Sequence, residues 1–484
     1  VRADRLAALV VLAAGSGTRM KSSKTKVLHR IGGRSLIGHA VHTAAALEPE
    51  HLLVVVGADS PAVEEHLRDL AIALRVAVQP QPRGTADAVR CALEELPALA
   101  GTVIVTYGDT PLLAPATLSG LLAEHQRGVN GVTVLTAEVP DPTGYGRVVR
   151  DETGAVEAIV EDKDATPEQR CITEINSGIY AFDAAVLAAT LPQVRPDNAA
   201  AEFYLTDVLA LARAASHRLG GVTCDDPWQT EGVNDRAQLA RLGGELNRRL
   251  LADAMRSGVT VVDPASTWLD VTVRLDADVT VLPGVQLHGS TTVARDAVIG
   301  PDTTLTDVEV GAGARVVRTH GSEAIVGAGA SVGPFAYLRP GTRLGESGKI
   351  GTFVETKNAD IAAGAKVPHL SYVGDASIGE RTNIGAGTIF ANYDGVTKHR
   401  TSVGSHCHTG SDNTFVAPVE IGDGASTGAG TVVRRDVPPG ALAVSGGPQR
   451  NIEDWVARKR AGTPAARAAA LAREQTTPDE ENQP

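Results

Sequence analysis

Aromatic side chains make up only 3% of this 484-residue chain, and it has just two methionines. An aromatic-rich core is therefore excluded as its main source of cohesion. No apolar run approaches the roughly 20 residues of a membrane-spanning helix. The short apolar stretch near the N-terminus runs straight into a glycine loop, which argues against a signal peptide. A basic excess is also missing: 45 Lys and Arg face 57 Asp and Glu, for a net charge of −12. With no basic stripe, a nucleic-acid partner is excluded. Four scattered cysteines (Cys91, Cys171, Cys224, Cys407) form no CxxC or zinc spacing. Reduced thiols in a soluble, cytoplasmic protein are expected. Glycine, by contrast, is plentiful at 51 residues. That abundance suits a repeat architecture with small residues at its corners. The length calls for two or three domains.

The segment Leu9-Val10-Val11-Leu12 reads as a buried strand that ends in the loop Leu12-Ala13-Ala14-Gly15-Ser16-Gly17-Thr18-Arg19-Met20. Gly15 and Gly17 let backbone N–H groups approach an anionic oxygen. Arg19 offers a planar fork for phosphate, and Lys26 a mobile point charge. The loop lacks the GxxxxGK[ST] of a Walker loop, and Met20 replaces the third glycine of a dinucleotide fingerprint. A triphosphate is the ligand it suits. Tyr107-Gly108-Asp109 follows a second apolar run, Val103–Val105, where an Asp at a strand's carboxyl end is placed to hold Mg²⁺ through oxygen.

Up to residue 235, apolar runs alternate with helical patterns. Strands are expected at Leu9–Leu12, Leu52–Val56, Val76–Val78, Val103–Val105, Gly131–Thr136, Ala155–Val160 and Ile179–Phe182, with helices at Ile37–Leu47, Ala62–Leu70 and Ala86–Leu93. This alternation predicts a mostly parallel α/β sheet with ligands at the carboxyl ends of its strands. Residues 236–262 read as a helical arm, with Leu239, Leu242, Leu246 and Leu250 along one face. From 263 to 437 the pattern shifts to a six-residue beat, as in Val326, Val332, Leu338, Leu344 and Ile350, often with Gly next in line. A parallel β-helix is the expectation, at about 18 residues per coil. Breaks in the beat near Thr319–Glu323 and Phe390–Arg400 read as loops leaving the wall. The last stretch, 438–484, loses the repeat, and from 462 its Ala-, Glu-, Gln- and Pro-rich composition predicts disorder.

One constellation stands out against the small-residue wall: Arg339, Glu355, Lys357, His369, Tyr372, Asn383, Asn392 and Tyr393. A repeat scaffold has no need of them. Together with the AAGSGTRM loop, Lys26, YGDTPLL, HLSYVGD and ANYDG, they give residues 6–455 a specific likeness. The chain closely resembles the bacterial family of bifunctional N-acetylglucosamine-1-phosphate uridylyltransferases / glucosamine-1-phosphate N-acetyltransferases.

The resemblance implies a Rossmann-like uridylyltransferase (pyrophosphorylase) domain, 1–235, joined by the arm to a left-handed β-helix acetyltransferase domain. It implies acetyl-CoA and UTP as co-substrates and UDP-N-acetylglucosamine for cell-envelope polymers as the product. Asp109 and Asn234 would share Mg²⁺, while Arg19 and Lys26 neutralise phosphate charge. Leu12, Ala13, Ala14, Gly15, Gln79, Gly84, Thr85 and Tyr107 would contact the nucleotide, and Gly146, Glu161 and Asn176 the sugar. Where the family pattern is GTxHA, this chain has Gly84-Thr85-Ala86-Asp87-Ala88, with Asp87 in place of the histidine. In the second domain His369 would be the general base, with Glu355 orienting its imidazole. Arg339 and Lys357 would hold the sugar phosphate, and Tyr372 and Asn383 the sugar. Acetyl-CoA would contact Ala386, Asn392, Tyr393, Lys398, Ser411, Ala429 and Trp455. A homotrimer with acetyltransferase sites between subunits is the implied assembly. Two other readings share these features: a different sugar nucleotidyltransferase with the β-helix as an oligomerising module, and a nucleotide-sensing scaffold.

Overall fold

A computed structural model describes residues 5–15, 17–198, 201–447 and 449–474. The N-terminal sheet contains β1 (Leu6–Leu12), β2 (His51–Gly57), β3 (Arg75–Gln79), β4 (Thr102–Tyr107), β5 (Val132–Glu138), β6 (Arg147–Arg150), β7 (Val156–Val160), β8 (Glu174–Asp183) and β9 (Leu219–Cys224). Its order is β9-β5-β8-β4-β1-β2-β3, with the β6–β7 hairpin attached through β8. Strand β1 runs parallel to both β2 and β4, and only β8 runs antiparallel to its central neighbours β4 and β5. All seven residues of β1 are buried, as expected of a central strand covered on both faces. Val10, Leu53, Val103 and Val105 pack on one face, and Leu9, Val11, Val54 and Ile104 on the other. Burying each such side chain contributes roughly 1.5–3 kcal/mol. The chain winds from β1 out to β3 and then crosses back to β4. The reversal opens a crevice at the carboxyl ends of β1 and β4, the usual ligand position in such sheets.

The arm is the helix Arg236–Arg256, capped by the Asp235 side chain, which accepts from the Gln238 N–H at 2.8 Å. Leu242 and Leu251 are buried. Glu245 accepts hydrogen bonds from Arg248 and Arg249, and Arg249 also pairs with Asp226 of the first domain at 2.9 Å. On the opposite side, the Asn247 amide donates to the Thr267 carbonyl (2.8 Å) and accepts from the Leu269 N–H (3.0 Å). The helix thereby ties the α/β domain to the first coil of the repeat. Among the described residues, no helix is long and apolar enough to cross a membrane.

From Thr260 onward, short parallel strands stack coil on coil in a seven-stranded and a seventeen-stranded sheet. Leu269 pairs with Leu287, eighteen residues on, as the six-residue beat requires. Inward aliphatics form one continuous core from Val259 to Val437. Phe390 and Phe415 meet edge-to-face within it at 5.1 Å.

The two breaks in the beat have opposite causes. Near Phe390–Arg400 the chain does leave the wall: Ile378 pairs with Val403, twenty-five residues on, and residues 392–400 form a protruding loop. Near Thr319–Glu323 the expected loop is absent. Thr319–Ser322 is a strand within the wall, and Leu305 pairs with Gly321 only sixteen residues on. Residues are missing from the corners there, so the wall continues on shorter coils. The tail departs from its reading only beyond 462, because Pro464–Glu474 is helical; Trp455–Lys459 forms a further helix ahead of it. The Ala-rich run 465–474 has the highest intrinsic helix propensity, and Arg473 pairs with Asp454. The expectation for 475–484 lies outside the described residues.

Candidate functional site

The carboxyl ends of β1, β3 and β4 open into a cavity of about 280 Å³. Its lining includes Leu12, Ala13, Ala14, Gly15, Lys26, Gln79, Gly84, Thr85, Tyr107 and Asp109. All ten were expected from the sequence. Val27, Pro82, Ala88 and Glu202 also line it and were not anticipated. They carry no motif, and Glu202 is brought in by a distant segment. Phe203, beside it, exchanges backbone hydrogen bonds with Arg83 and Ala86, and Leu205 donates to the Thr85 hydroxyl at 3.0 Å.

Two cation–oxygen contacts lie at the glycine-loop end of the site. The Lys26 ammonium meets the Asp109 carboxylate at 2.5 Å, and the Arg19 guanidinium donates to the Asn234 side-chain oxygen at 2.8 Å. Gly17 makes the approach of Lys26 possible: it sits at φ 60°, and a Cβ there would lie 2.5 Å from that of Lys26. The Val233 N–H donates to the Asp109 carbonyl (2.9 Å), bringing Asn234 beside Asp109 across more than a hundred residues.

For a metal, the two side chains offer one hard oxygen donor each, both now faced by cations. No cluster of three or more His, Cys, Asp or Glu suited to a metal occurs among the described residues. A small donor set of this kind fits Mg²⁺, which keeps several waters and takes substrate phosphate oxygens.

Gly146, Glu161 and Asn176 lie outside that cavity lining but close to one another. A Cβ on Gly146 would sit 3.5 Å from both the Asn176 Cβ and a Glu161 carboxylate oxygen. The Asn176 side chain is held by the Tyr180 hydroxyl and the Gly178 N–H, both at 2.9 Å. Burial pushes the Glu161 carboxyl upward, and Asp164, Asp207 and Asp162 add to the effect. Tyr107 links the two groups: burial, then Asp109 and Glu161, drive its phenol well above the ordinary range. It stays neutral and can donate.

In the β-helix, Tyr337, Glu355, Tyr372 and Ile389 align on successive coils of one wall. His369 ends the adjoining wall, pairing in register with Thr352. The corner Leu370–Ser371 thus sets His369 beside Tyr372. Asn383 lies one coil on from Lys366, on the His369 wall. The Gly387 N–H donates to the His369 carbonyl (3.2 Å), which puts Ala386 on the next coil. Asp412 and Gly430 then donate to Ala386 and Ser411 in turn, so Ala386, Ser411 and Ala429 run up one corner.

The expected pairing of Glu355 with His369 is not what the structure shows. The Glu355 carboxylate accepts from Arg339 at 2.9 Å, and the exposed imidazole has no hydrogen-bond partner among the described residues. The physical reason is reach: Glu355 lies directly over Tyr337, two residues before Arg339, whose positive charge claims it.

Lys357 and Lys398 stand side by side, and the Lys357 ammonium pushes Lys398 below its ordinary value. Asp375 gathers this end of the site. It accepts from Asn358 (2.8 Å) and Asn392 (2.5 Å), and Asn392 also reaches the Tyr372 hydroxyl at 3.4 Å. Burial would raise the Asp375 carboxyl, but these amides and the two lysines hold it low. Asp375 was missed as a site residue, although HLSYVGD contains it. Tyr393 is exposed, its hydroxyl donating to the Gly395 carbonyl at 2.6 Å. Trp455 lies on the tail helix with Arg460 over its ring at 4.9 Å.

Residues 8–271 match the model of the nucleotidyl transferase family. Curated relatives extend the match over nearly the whole chain. A bifunctional protein GlmU of Kineococcus radiotolerans is 61% identical over 472 residues, covering 97% of this chain and 96% of its own. One of Streptomyces avermitilis is 60% identical, covering 97% and 98%. One of Rhodococcus opacus is 59% identical, covering 96% and 95%. By identity over nearly its whole length, the chain belongs to the bifunctional GlmU family within the nucleotidyl transferases.

Proposed function

We propose that the chain makes UDP-N-acetylglucosamine in two steps: acetyl transfer from acetyl-CoA to glucosamine-1-phosphate on the β-helix, then uridylyl transfer from UTP in the α/β crevice. The observation that carries this reading is the Lys26–Asp109 pair in the cavity wall, with Arg19–Asn234 held beside it by the Val233–Asp109 backbone bond, and a second, independent lysine pair on the repeat wall.

In the crevice, a phosphate oxygen of N-acetylglucosamine-1-phosphate attacks the α-phosphorus of UTP. That P–O bond forms as the bond to the β-phosphate bridge breaks and pyrophosphate leaves. Such a displacement needs positioning and charge neutralisation, not a covalent intermediate. Mg²⁺ held by Asp109 and Asn234 would supply part of the neutralisation. Lys26 and Arg19 now spend their charge on those same two side chains, so substrate binding exchanges each protein contact for a phosphate. Gly146, Glu161 and Asn176 orient the sugar, and no general base is required because the nucleophile is already anionic.

On the β-helix, the amine nitrogen attacks the thioester carbonyl and passes its proton to His369. The C–S bond breaks and the CoA thiolate leaves. Arg339 and Lys357 hold the sugar phosphate, with Tyr372 and Asn383 on the sugar. Lys398, Asn392, Tyr393, Ala386, Ser411, Ala429 and Trp455 take the CoA. Glu355 acts through Arg339, holding its fork toward the phosphate.

A homotrimer fits the exposed column Phe335, Phe353 and Leu370, stacked on one corner of successive coils with the two phenyl rings 5.5 Å apart. Packing that column against a second copy would also cover the open His369 edge beside Leu370.

Mass-spectrometric product analysis with UTP, acetyl-CoA, Mg²⁺ and a panel of hexosamine phosphates tests the reading. UDP-N-acetylglucosamine from glucosamine-1-phosphate supports it. Silence in CoA release leaves only a nucleotidyltransferase, and silence in pyrophosphate release removes that too.

A further inference from the structure

Asp87, which replaces the family histidine, is 3% exposed and sits in the first turn of the helix Thr85–Glu94. Gln79, 5% exposed, lines the nucleotide cavity at the end of β3. The Gln79 side-chain Nε2 donates to Asp87 Oδ2 at 2.9 Å and to the Gly84 carbonyl at 3.1 Å. Neither partner can donate in return. The carboxylate's other oxygen is engaged by both Arg83 (2.9 Å) and Arg90, and a backbone carbonyl only accepts. Both amide hydrogens of Gln79 are therefore used, and the amide cannot turn over without setting oxygen against oxygen. The atom left for a ligand is Oε1, an acceptor.

We infer that Asp87 is a positioning residue: it fixes the Gln79 amide so that the base pocket presents an acceptor, and thereby selects nucleobases with an imide N–H. Uracil carries that hydrogen at N3, whereas cytosine presents a lone pair there. Two facing lone pairs in a buried wall are costly, which is how a site built to receive a hydrogen bond rejects the analogue lacking the donor. The inference rests on the uridylyltransferase reading and names the residue behind its base choice. Burial would raise the Asp87 carboxyl, but hydrogen bonds from Gln79, Arg90 and Arg83 hold it low, so the clamp stays a pure acceptor.

The test compares UTP with CTP on the full chain and on D87A, D87N and D87E, by pyrophosphate release and by equilibrium competition binding. The UTP-over-CTP preference falls about tenfold in D87A, chiefly through the KM for UTP, since the phosphate contacts are untouched. D87N loses preference as well, because the guanidiniums claim its one oxygen and turn its NH₂ toward Gln79. D87E, which keeps the carboxylate, recovers part of it. CoA release on the distant β-helix and a thermal melt report folding, and D87N carries the test if D87A does not fold. An unchanged nucleotide ratio in a folded D87A or D87N overturns the inference, leaving Asp87 a structural residue. If the native chain binds UTP over CTP in an Asp87-dependent way yet releases no pyrophosphate, the functional reading falls and the inference stands.

Discussion

His369 is exposed and unpaired within its own chain among the described residues, so its replacement removes chemistry and little packing. H369A should lower acetyl transfer by about 10²- to 10⁴-fold, the usual contribution of a general base, measured as CoA release. Pyrophosphate release from UTP should be unchanged, and parallel loss of both would contradict separate sites. Asp109 has the opposite signature. D109N removes the charge opposite Lys26 and weakens the hard oxygen donor, so uridylyl transfer should fall at least about tenfold while CoA release persists. Restoration of the native rate by millimolar Mg²⁺ alone would indicate that the residue only binds metal.

The phosphate loop and the arm helix each carry a prediction at the level of the element. Gly17 occupies a left-handed conformation against Lys26, so G17A must push Lys26 away from Asp109. A raised KM for UTP is expected together with a lowered melting temperature, since a left-handed alanine and the displaced Lys26 both cost stability, while CoA release should persist. In the arm, hydrogen bonds from Arg248 lead those that pull Glu245 from the ordinary 4.5 down to about 2. A carboxyl depressed in the folded state stabilises the protein above its unfolded pKa, and that contribution is lost as pH falls through the window from 4.5 toward 2. E245Q should therefore melt below the native chain at pH 7, with the gap closing as the pH is lowered to 3. A gap independent of pH would mean that Glu245 acts by shape and not by charge.

At the scale of the whole molecule, the proposed homotrimer predicts that the two activities depend differently on assembly. The cavity that holds Lys26 and Asp109 lies on the α/β domain, whereas His369 lies on the β-helix beside the exposed apolar corner of Phe335, Phe353 and Leu370. A double substitution, F335S with F353S, leaves the inward core untouched and should shift the particle toward monomer in sedimentation velocity. CoA release should fall with it and pyrophosphate release should not. A trimer that survives the double substitution would place the subunit contact on another face.

Local patterns alone identified the two architectures. Burial in a parallel strand demands an unbroken apolar run, and a triangular coil demands an aliphatic every sixth residue, so Leu9–Leu12 and Val326–Ile350 declare themselves without neighbours. The Gly–Arg–Lys loop was legible for the same reason: phosphate recognition needs small residues and cations close together in sequence. Helices such as Pro115–Gly128 were less legible because their apolar periodicity is weaker. Only the folded chain could decide whether a break in the repeat adds residues or removes them, since Thr319–Ser322 keeps its place by pairing with coils before and after it. The same holds for the partners of charged side chains. Glu355 belongs to Arg339, and Asp87 turns Gln79, because electrostatic partners are set by distances across coils and strands that no linear spacing records.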